Sequence, residues 1–402
     1  MSDGDQLDLV AVTAPIAAAF EDAGHHLYLV GGAVRDHLLG HHPDASADLD
    51  LTTEAMPAQI KEIVAPLASA VWTTGERFGT IGCLIDGRTY EVTTHRAERY
   101  DDHSRKPDVD FSMSIDDDLS RRDFTINAMA RRLPGGELVD PLGGRADLAA
   151  GRLRTPLDPH LSFSDDPLRM LRAARFVANY DVELVVEAER AIVEMADRLA
   201  IVSTERIRDE LVRLLAAPAP GRGLELLDRT GLARLFLPEL AESDLAAVAG
   251  VSADPVLRLA VILGPGGAEQ AAARGSELRL GNADTASLRR MVGAAERLDG
   301  TDDESIRRFV EAAGADLDRA VELAMATGGP AGLADAVATL IEREGTGFDL
   351  PVSGGDLIEE LRLEPGPAVG ELMRRLHEER LRSGPMTRVD AIALARRWSA
   401  ER

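Results

Sequence analysis

Two aspartates two residues apart, Asp48 and Asp50 in the stretch ADLDLTT, are the first candidates for chemistry. Side chains alternate faces along a strand, so this spacing sets two carboxylates side by side. Like charges that close repel, and a hard cation between them relieves the repulsion; such oxygen ligands suit Mg²⁺. A lone pair of this kind is ordinarily a solvated strand edge, and what changes the reading is its position. About 16 residues earlier stands Gly31-Gly32, where HLYLVGG runs into AVRDHLLG. Without side chains these glycines let backbone N–H groups approach a phosphate, and a helix leaving them offers its positive end. Arg35, one turn along, is placed to reach the same anion. One element to hold triphosphate oxygens and another to hold metals that bridge them is an arrangement that activates a hydroxyl and stabilises departing pyrophosphate.

Three further groups extend this set. Glu91 in RTYEVTT alternates with Tyr90 and Val92 and is a candidate third carboxylate for catalysis. RRDFTINA, residues 121–128, alternates polar with apolar residues and offers Arg122, Asp123 and Asn127 to a sugar or to phosphates. In SFSDDPLRMLRAARF, residues 162–176, Ser164 reads as a helix cap and Pro167 as a first-turn residue, with Asp166 and Arg169 three apart on one helix face. A carboxylate accepts from an exocyclic amino group while a guanidinium donates to a ring nitrogen or carbonyl. Together they complement the Watson–Crick edges of C and A and reject U and G.

The elements that must position these residues are legible in outline. Apolar spacing from Leu9 to Phe20 predicts an opening helix ended by Gly24. Strands are expected at HLYLV, DLDLTT, TIGCLI and RTYEVTT, the last two joined through Asp86-Gly87, and a helix after Pro57. Residues 98–118 lack apolar periodicity and read as a long mobile loop. From about Asp165 onward the pattern is helical, with breaks near residues 216–223, 263–267, 326–332 and 350–355.

Bulk properties bound the possibilities. A chain of 402 residues suits two to four modules, and no apolar run is long enough to span a bilayer. Cys83 is the only cysteine, which excludes an internal disulfide or a multi-cysteine metal site, and with the acidic start MSDGDQLDLV it points to the cytoplasm. The net charge of −24 runs against the basic surface usual in proteins that grip nucleic acid. The pairs Arg121-Arg122, Arg131-Arg132, Arg374-Arg375 and Arg396-Arg397 are the candidates for local basic patches.

With these residues in place, the sequence resembles the class II tRNA nucleotidyltransferase and bacterial poly(A) polymerase family of the polymerase β-like nucleotidyltransferase superfamily. The resemblance rests on LVGGAVRDHLLG, ADLDLTT, YEVTTHR, RRDFTINAMA, DPLGGRADL and DDPLRMLRAARF in that order, and continues to about residue 240 through STERIRDEL and LPEL. It resumes at GGDLIEELRLEPGPAVGELMRRL. It implies an α+β fold of seahorse-like shape. A catalytic head with a mixed sheet (1–150) would precede an all-α neck (151–240), body (241–345) and tail (346–402). It further implies that Asp48 and Asp50 bind catalytic Mg²⁺, that Gly31, Gly32 and Arg35 hold the triphosphate, and that Arg122, Asp123 and Asn127 hold sugar and phosphates. Asp165, Asp166 and Arg169 match an acidic-acidic-x-x-Arg template motif in which glutamate is commoner at the first position. Arg172 and Arg175 would support that helix or touch the nucleotide.

The implied reaction adds C, C and A to the 3′ end of tRNA from CTP and ATP, with tRNA as partner and no protein or membrane partner. The loop at 98–118 would help the pocket change from CTP to ATP. A poly(A) polymerase is the nearest alternative, but TTGERFGTIG takes the place of the basic stretch such enzymes carry after the metal motif, and the chain shows no basic C-terminal extension. A non-catalytic RNA-binding relative is disfavoured by the intact Asp48, Asp50, Asp166 and Arg169. No histidine lies between His160 and His377, so the phosphohydrolase activity of some relatives is not expected.

Overall fold

The computed structural model describes residues 9–41, 48–99, 108–111 and 113–400. The chain divides into two compact units, residues 1–202 with 229–235, and residues 203–228 with 236–402.

The first unit is built on a seven-stranded mixed sheet. Helix α1 (Leu9–Asp22) leads to β1 (Leu27–Val30), α2 (Gly32–Leu38), β2 (Leu49–Thr53), α3 (Pro57–Val64) and β3 (Ala70–Trp72). Then come β4 (Thr80–Ile85), β5 (Arg88–Thr94), β6 (Arg96–Arg99), β7 (Asp108–Phe111), α4 (Ile115–Ser120), β8 (Ala130–Leu133) and β9 (Leu138–Val139). The strand order is β3-β4-β5-β2-β1-β8-β9. Only β2 and β5 run parallel, which sets Asp50 directly opposite Glu91. The expected hairpin between β4 and β5 turns through Asp86 and Gly87, both at positive φ (51° and 78°), the backbone that matches the twist of paired strands.

One face of the sheet, with Leu29, Leu51, Ile81 and Val92, is sealed by Ile16 and Phe20 of α1 and Ile60 and Val64 of α3. That burial fixes the register, because a one-residue slip would turn the apolar set to solvent and the carboxylates inward. The sequence shows no alternation at β3, whose residues are exposed, or at β8, where Arg131 and Arg132 interrupt the apolar pattern.

Within 98–118, expected as a long mobile loop, the described residues carry regular structure. β6 and β7 pair in antiparallel register, Arg96 opposite Phe111, and α4 starts at Ile115. Residues 100–107 and 112, the rest of that expectation, lie outside the described residues.

Helix α5 (Gly144–Ala149) and a two-stranded parallel pair, β10 (Arg152–Leu153) with β11 (Glu183–Leu184), frame α6 (Pro159–Asp165) and α7 (Leu168–Asn179) before α8 (Val186–Met195). α7 buries Leu168, Met170, Leu171, Ala174 and Phe176, and Phe176 meets Phe124 edge-on with ring centroids 5.3 Å apart.

Among its described residues the second unit is helical, and helices end close to the expected breaks, at Leu215, Leu263 and Ala326, with the last break preceding the helix at Gly354. Arg258, buried, donates to the carbonyls of Leu215 and Ala217 and so satisfies a helix end that would otherwise leave acceptors unpaired. Glu344, on the helix Leu333–Glu344, accepts from Arg307 and Arg380 of two other helices. These charges, each nearly excluded from solvent, hold the Glu344 carboxyl at about 2. No helix of the described residues is long and apolar enough to cross a membrane.

Candidate active site

β1 is followed by Gly31, whose φ of 72° and ψ of −139° are open only to glycine at ordinary cost. A side chain there would place its Cβ 3.4 Å from Nη1 of Arg122 and 3.6 Å from Oδ2 of Asp50. The turn therefore opens into a cleft of about 300 Å³ lined by Gly31, Gly32, Asp50, Arg121, Arg122, Asp123, Asn127, Asp166, Arg169 and Arg172. The lining carries both an aspartate of the metal candidate and the Asp166/Arg169 pair.

Asp48 is exposed immediately before β2, and Asp50 opens into the cleft beside it. Protein around Asp50 displaces water and pushes its carboxyl above the ordinary range, Arg122 opposes this, and Asp48 adds to it. Glu91, exposed between buried Tyr90 and Val92, is also pushed up, first by loss of water and then by Asp50 and Asp48. Asp50 and Glu91 thus share a field that disfavours their charge. Among the described residues no three His, Cys, Asp or Glu side chains converge tightly enough to hold an ion alone. Two carboxylates with the remaining positions left to phosphate oxygens and water is, however, how Mg²⁺ commonly binds beside a triphosphate, so the residues present fit such an ion.

The RRDFTINA segment leaves α4, runs through one turn of 3₁₀ helix at Thr125–Asn127 and enters β8. Its polar residues form a chain of bonds. Arg172 donates to Oδ2 of Asp123 from Nε (2.9 Å) and Nη2 (2.5 Å), and the amide of Asn127 donates to Oδ1 of Asp123 (3.0 Å). Burial alone would raise the Asp123 carboxyl, but Arg172, Asn127 and the Phe124 N–H outweigh it and hold it below the usual range.

Arg35, expected at the triphosphate, is not among the residues lining the cleft, but its Nη2 lies 3.3 Å from where a Cβ on Gly32 would stand. It is only 6% exposed, donates to Oδ1 of Asn127 at 2.6 Å, pairs with Asp36 and lies over the Tyr180 ring at 4.2 Å. A guanidinium with an aromatic face, a carboxylate and an amide oxygen within reach is better satisfied there than in water.

Asp166 departs from the expected helix. Ser164 is not a cap but lies inside α6, and the chain breaks at Asp166 (φ −140°, ψ 97°) before α7 begins. Pro167 removes the N–H that a continuous helix would need, and Oδ1 of Asp166 accepts from the N–H of Leu168 at 3.2 Å. Asp166 thus stands at the start of α7 with Arg169 following it, and the two do not share one continuous helix face. Arg169 is held by the hydroxyl of Ser162 at 2.8 Å and the carbonyl of Arg121 at 2.5 Å. Asp165, the last residue of α6, and Arg175, stacked over Phe176 at 4.8 Å, do not line the cleft.

The sequence reading named Arg121 only as half of a candidate basic patch, and it missed Asp118. Arg121 lines the cleft, and Asp118, wholly buried, accepts from both Arg121 and Arg122. The only signal for Asp118 was the pairing of acidic and basic residues three and four apart in DDDLSRR.

Comparison with known proteins agrees with this geometry. Residues 27–154 match the poly(A) polymerase head domain, and residues 183–243 match a probable RNA and SrmB-binding site of polymerase A. The CCA-adding enzyme of Lactobacillus helveticus is 40% identical over 230 residues, 57% of this chain and 56% of the relative. That of Geobacillus stearothermophilus is 40% identical over 219 residues, 54% of this chain and 52% of the relative. The matched region spans about half the length of these curated relatives. In three dimensions the chain is similar to the Bacillus stearothermophilus CCA-adding enzyme in complex with CTP, with a TM-score of 0.79, 28% identity and coverage of 98% of this chain and 99% of that one. The Thermotoga maritima CCA-adding enzyme complexed with tRNA shares the fold at a TM-score of 0.68 and 20% identity, covering 99% and 97%. Head-domain motifs in their proper order, folded around one cleft, make this chain similar to the poly(A) polymerase head domain over residues 27–154 and to CCA-adding enzymes over about half of its length.

Proposed function

We propose that this chain is a cytoplasmic CCA-adding tRNA nucleotidyltransferase, which extends the tRNA 3′ end with C, C and A from CTP and ATP and needs no nucleic-acid template. The observation that carries the reading is that one cleft brings together Asp50, the Gly31-Gly32 turn, Arg122 and the Asp166/Arg169 pair. Phosphate transfer and base choice are thereby served by a single site.

Asp48 and Asp50 would hold Mg²⁺, with Glu91 beside them, and the bound metal would lower the pKa of the primer hydroxyl and neutralise charge on the leaving pyrophosphate. The bare Gly31 turn admits triphosphate oxygens, and Arg122 and Arg121 supply positive charge along the same wall. The 3′-hydroxyl of the primer attacks the α-phosphorus in line as the bond to pyrophosphate breaks. Asp123, fixed by Arg172 and Asn127, faces the nucleotide sugar, and Arg35 keeps Asn127 in place from behind. Asp166 accepts from the exocyclic amine of C or A while Arg169 donates to the ring, so a base with a carbonyl in place of that amine meets the carboxylate as a repulsive partner.

Arg175, Asp165 and the segment around 98–118 would support that pocket. The division into head (1–150), neck (151–240), body (241–345) and tail (346–402) follows the family resemblance, body and tail being assigned to the tRNA.

The test is incorporation from labelled CTP and ATP, separately and together, into a tRNA lacking its terminal CCA. Two C additions from CTP alone and a single A with both nucleotides are expected. A long A-tail from ATP alone would instead make this chain a poly(A) polymerase.

A further inference from the structure

Asp118 is a carboxylate with no exposed surface that pairs with two arginines of the cleft lining. Its Oδ1 accepts from Nε and Nη2 of Arg121 at 3.1 and 2.7 Å, and its Oδ2 accepts from Nη2 of Arg122 at 3.1 Å. The backbone N–H of Arg96, at the foot of the β6–β7 ribbon, also points to Oδ1 at 3.4 Å. Both guanidinium groups remain about a fifth exposed and line the cleft.

The two ends of the Arg122 fork face different carboxylates. Nη2 is tied to Asp118, while Nη1 lies beside the space over Gly31 that also borders Oδ2 of Asp50. Asp50 is close enough for Arg122 to act on its charge. An unrestrained guanidinium beside that carboxylate would close on it in a bidentate pair, the geometry the fork favours. Such a pair would cover a metal ligand and fill the space where phosphate oxygens must lie.

Resting on the nucleotidyl-transfer reading above, we propose that Asp118 is a positioning residue: it anchors one arm of Arg122 so that the other faces the triphosphate instead of collapsing onto Asp50. A planar five-donor fork reaches two partners with separate arms, a span that the single nitrogen of a lysine ammonium does not provide. This explains why a fully buried acid stands directly behind two cleft arginines. Burial would raise its pKa, but Arg122 and Arg121 more than offset that and hold it at about 2, so it stays charged throughout the working range.

The test uses the full chain and reads equilibrium binding of CTP and ATP in EDTA and in Mg²⁺, alongside tRNA KM. Asp118→Asn is expected to weaken both nucleotides about tenfold, equivalent to ~1.4 kcal/mol, with tRNA KM unchanged. In an Arg122→Ala background the same substitution should have no further effect, because Asp118 acts through that side chain. A merely structural acid would give additive losses in that cycle, or unaltered nucleotide affinity, and either result overturns the proposal. If Asp118→Asn fails to fold, Arg122→Lys decides. Arg121 still neutralises Asp118 there, and a lysine that binds CTP and ATP as tightly as the native fork refutes the two-armed role. A native chain that incorporates no nucleotide defeats the functional reading and this inference together, whereas a native enzyme whose two variants bind nucleotide normally defeats the inference alone.

Discussion

Substituting Gly31 by alanine separates backbone strain from loss of the phosphate approach. The native φ of 72° and ψ of −139° lie where a Cβ costs ~1–3 kcal/mol. For a unit of this size, 1 kcal/mol moves the melting temperature by roughly 2–4 °C, so ~2 kcal/mol corresponds to a fall of about 4–8 °C. The added methyl does not clash with protein, since its nearest neighbours are 3.4 and 3.6 Å away. It does occupy the gap between the Arg122 guanidinium and the Asp50 carboxylate. Losing one charge-assisted bond to phosphate, at ~1.5–3 kcal/mol, predicts that CTP and ATP bind about 10- to 100-fold more weakly. Gly24→Ala is the control: its φ is 79°, no atom lies within 4 Å of the new Cβ, and it is remote from the cleft lining. Calorimetric unfolding and nucleotide titration of both variants check the prediction. Gly24→Ala should lower the melting temperature without changing affinity, and Gly31→Ala should lower both. A Gly31→Ala protein that binds CTP and ATP at native affinity would refute the role given to the bare turn.

Asp50→Asn should abolish incorporation yet raise the metal-free melting temperature at neutral pH. A carboxyl whose folded pKa is raised is stabilising when protonated and costs stability once ionised, so removing the charge removes that cost; a lower melting temperature without metal would contradict the sign. Arg169→Ala should relax the choice of C and A over U and G while the rate with CTP falls less than tenfold, checked by competing the four nucleotides on a truncated tRNA. Glu344→Gln removes the carboxylate that buried Arg307 and Arg380 share and should destabilise the second unit by ~3 kcal/mol. Because the Glu344 carboxyl sits at about 2, below its ordinary 4.5, its contribution is complete above the ordinary value and is lost as pH falls toward 2. The gap between native and variant in urea unfolding should therefore close in acid.

The sequence by itself determined the local geometry. Alternation in DLDLTT and RTYEVTT set which residues face the core and which face solvent, and Asp86-Gly87 set the turn that pairs β4 with β5. Gly31-Gly32 announced a turn open only to glycine, and the ordered motifs carried the family resemblance. These readings hold because strand period and turn backbone are properties of a few consecutive residues. Only the tertiary structure decided where the long side chains go. Arg35 lies one turn from the cleft in sequence, yet its partner Asn127 is 92 residues away and draws it inward. Arg121 and Arg122 face the cleft because Asp118 is buried behind them, and Arg172 reaches Asp123 across 49 residues. Asp166 leaves the helix because Pro167 breaks the bond ladder, while β6 and β7, four residues each, are too short to announce their pairing. A guanidinium samples many rotamers at similar cost, so its direction is settled by whichever acceptor the fold delivers, which local sequence does not encode.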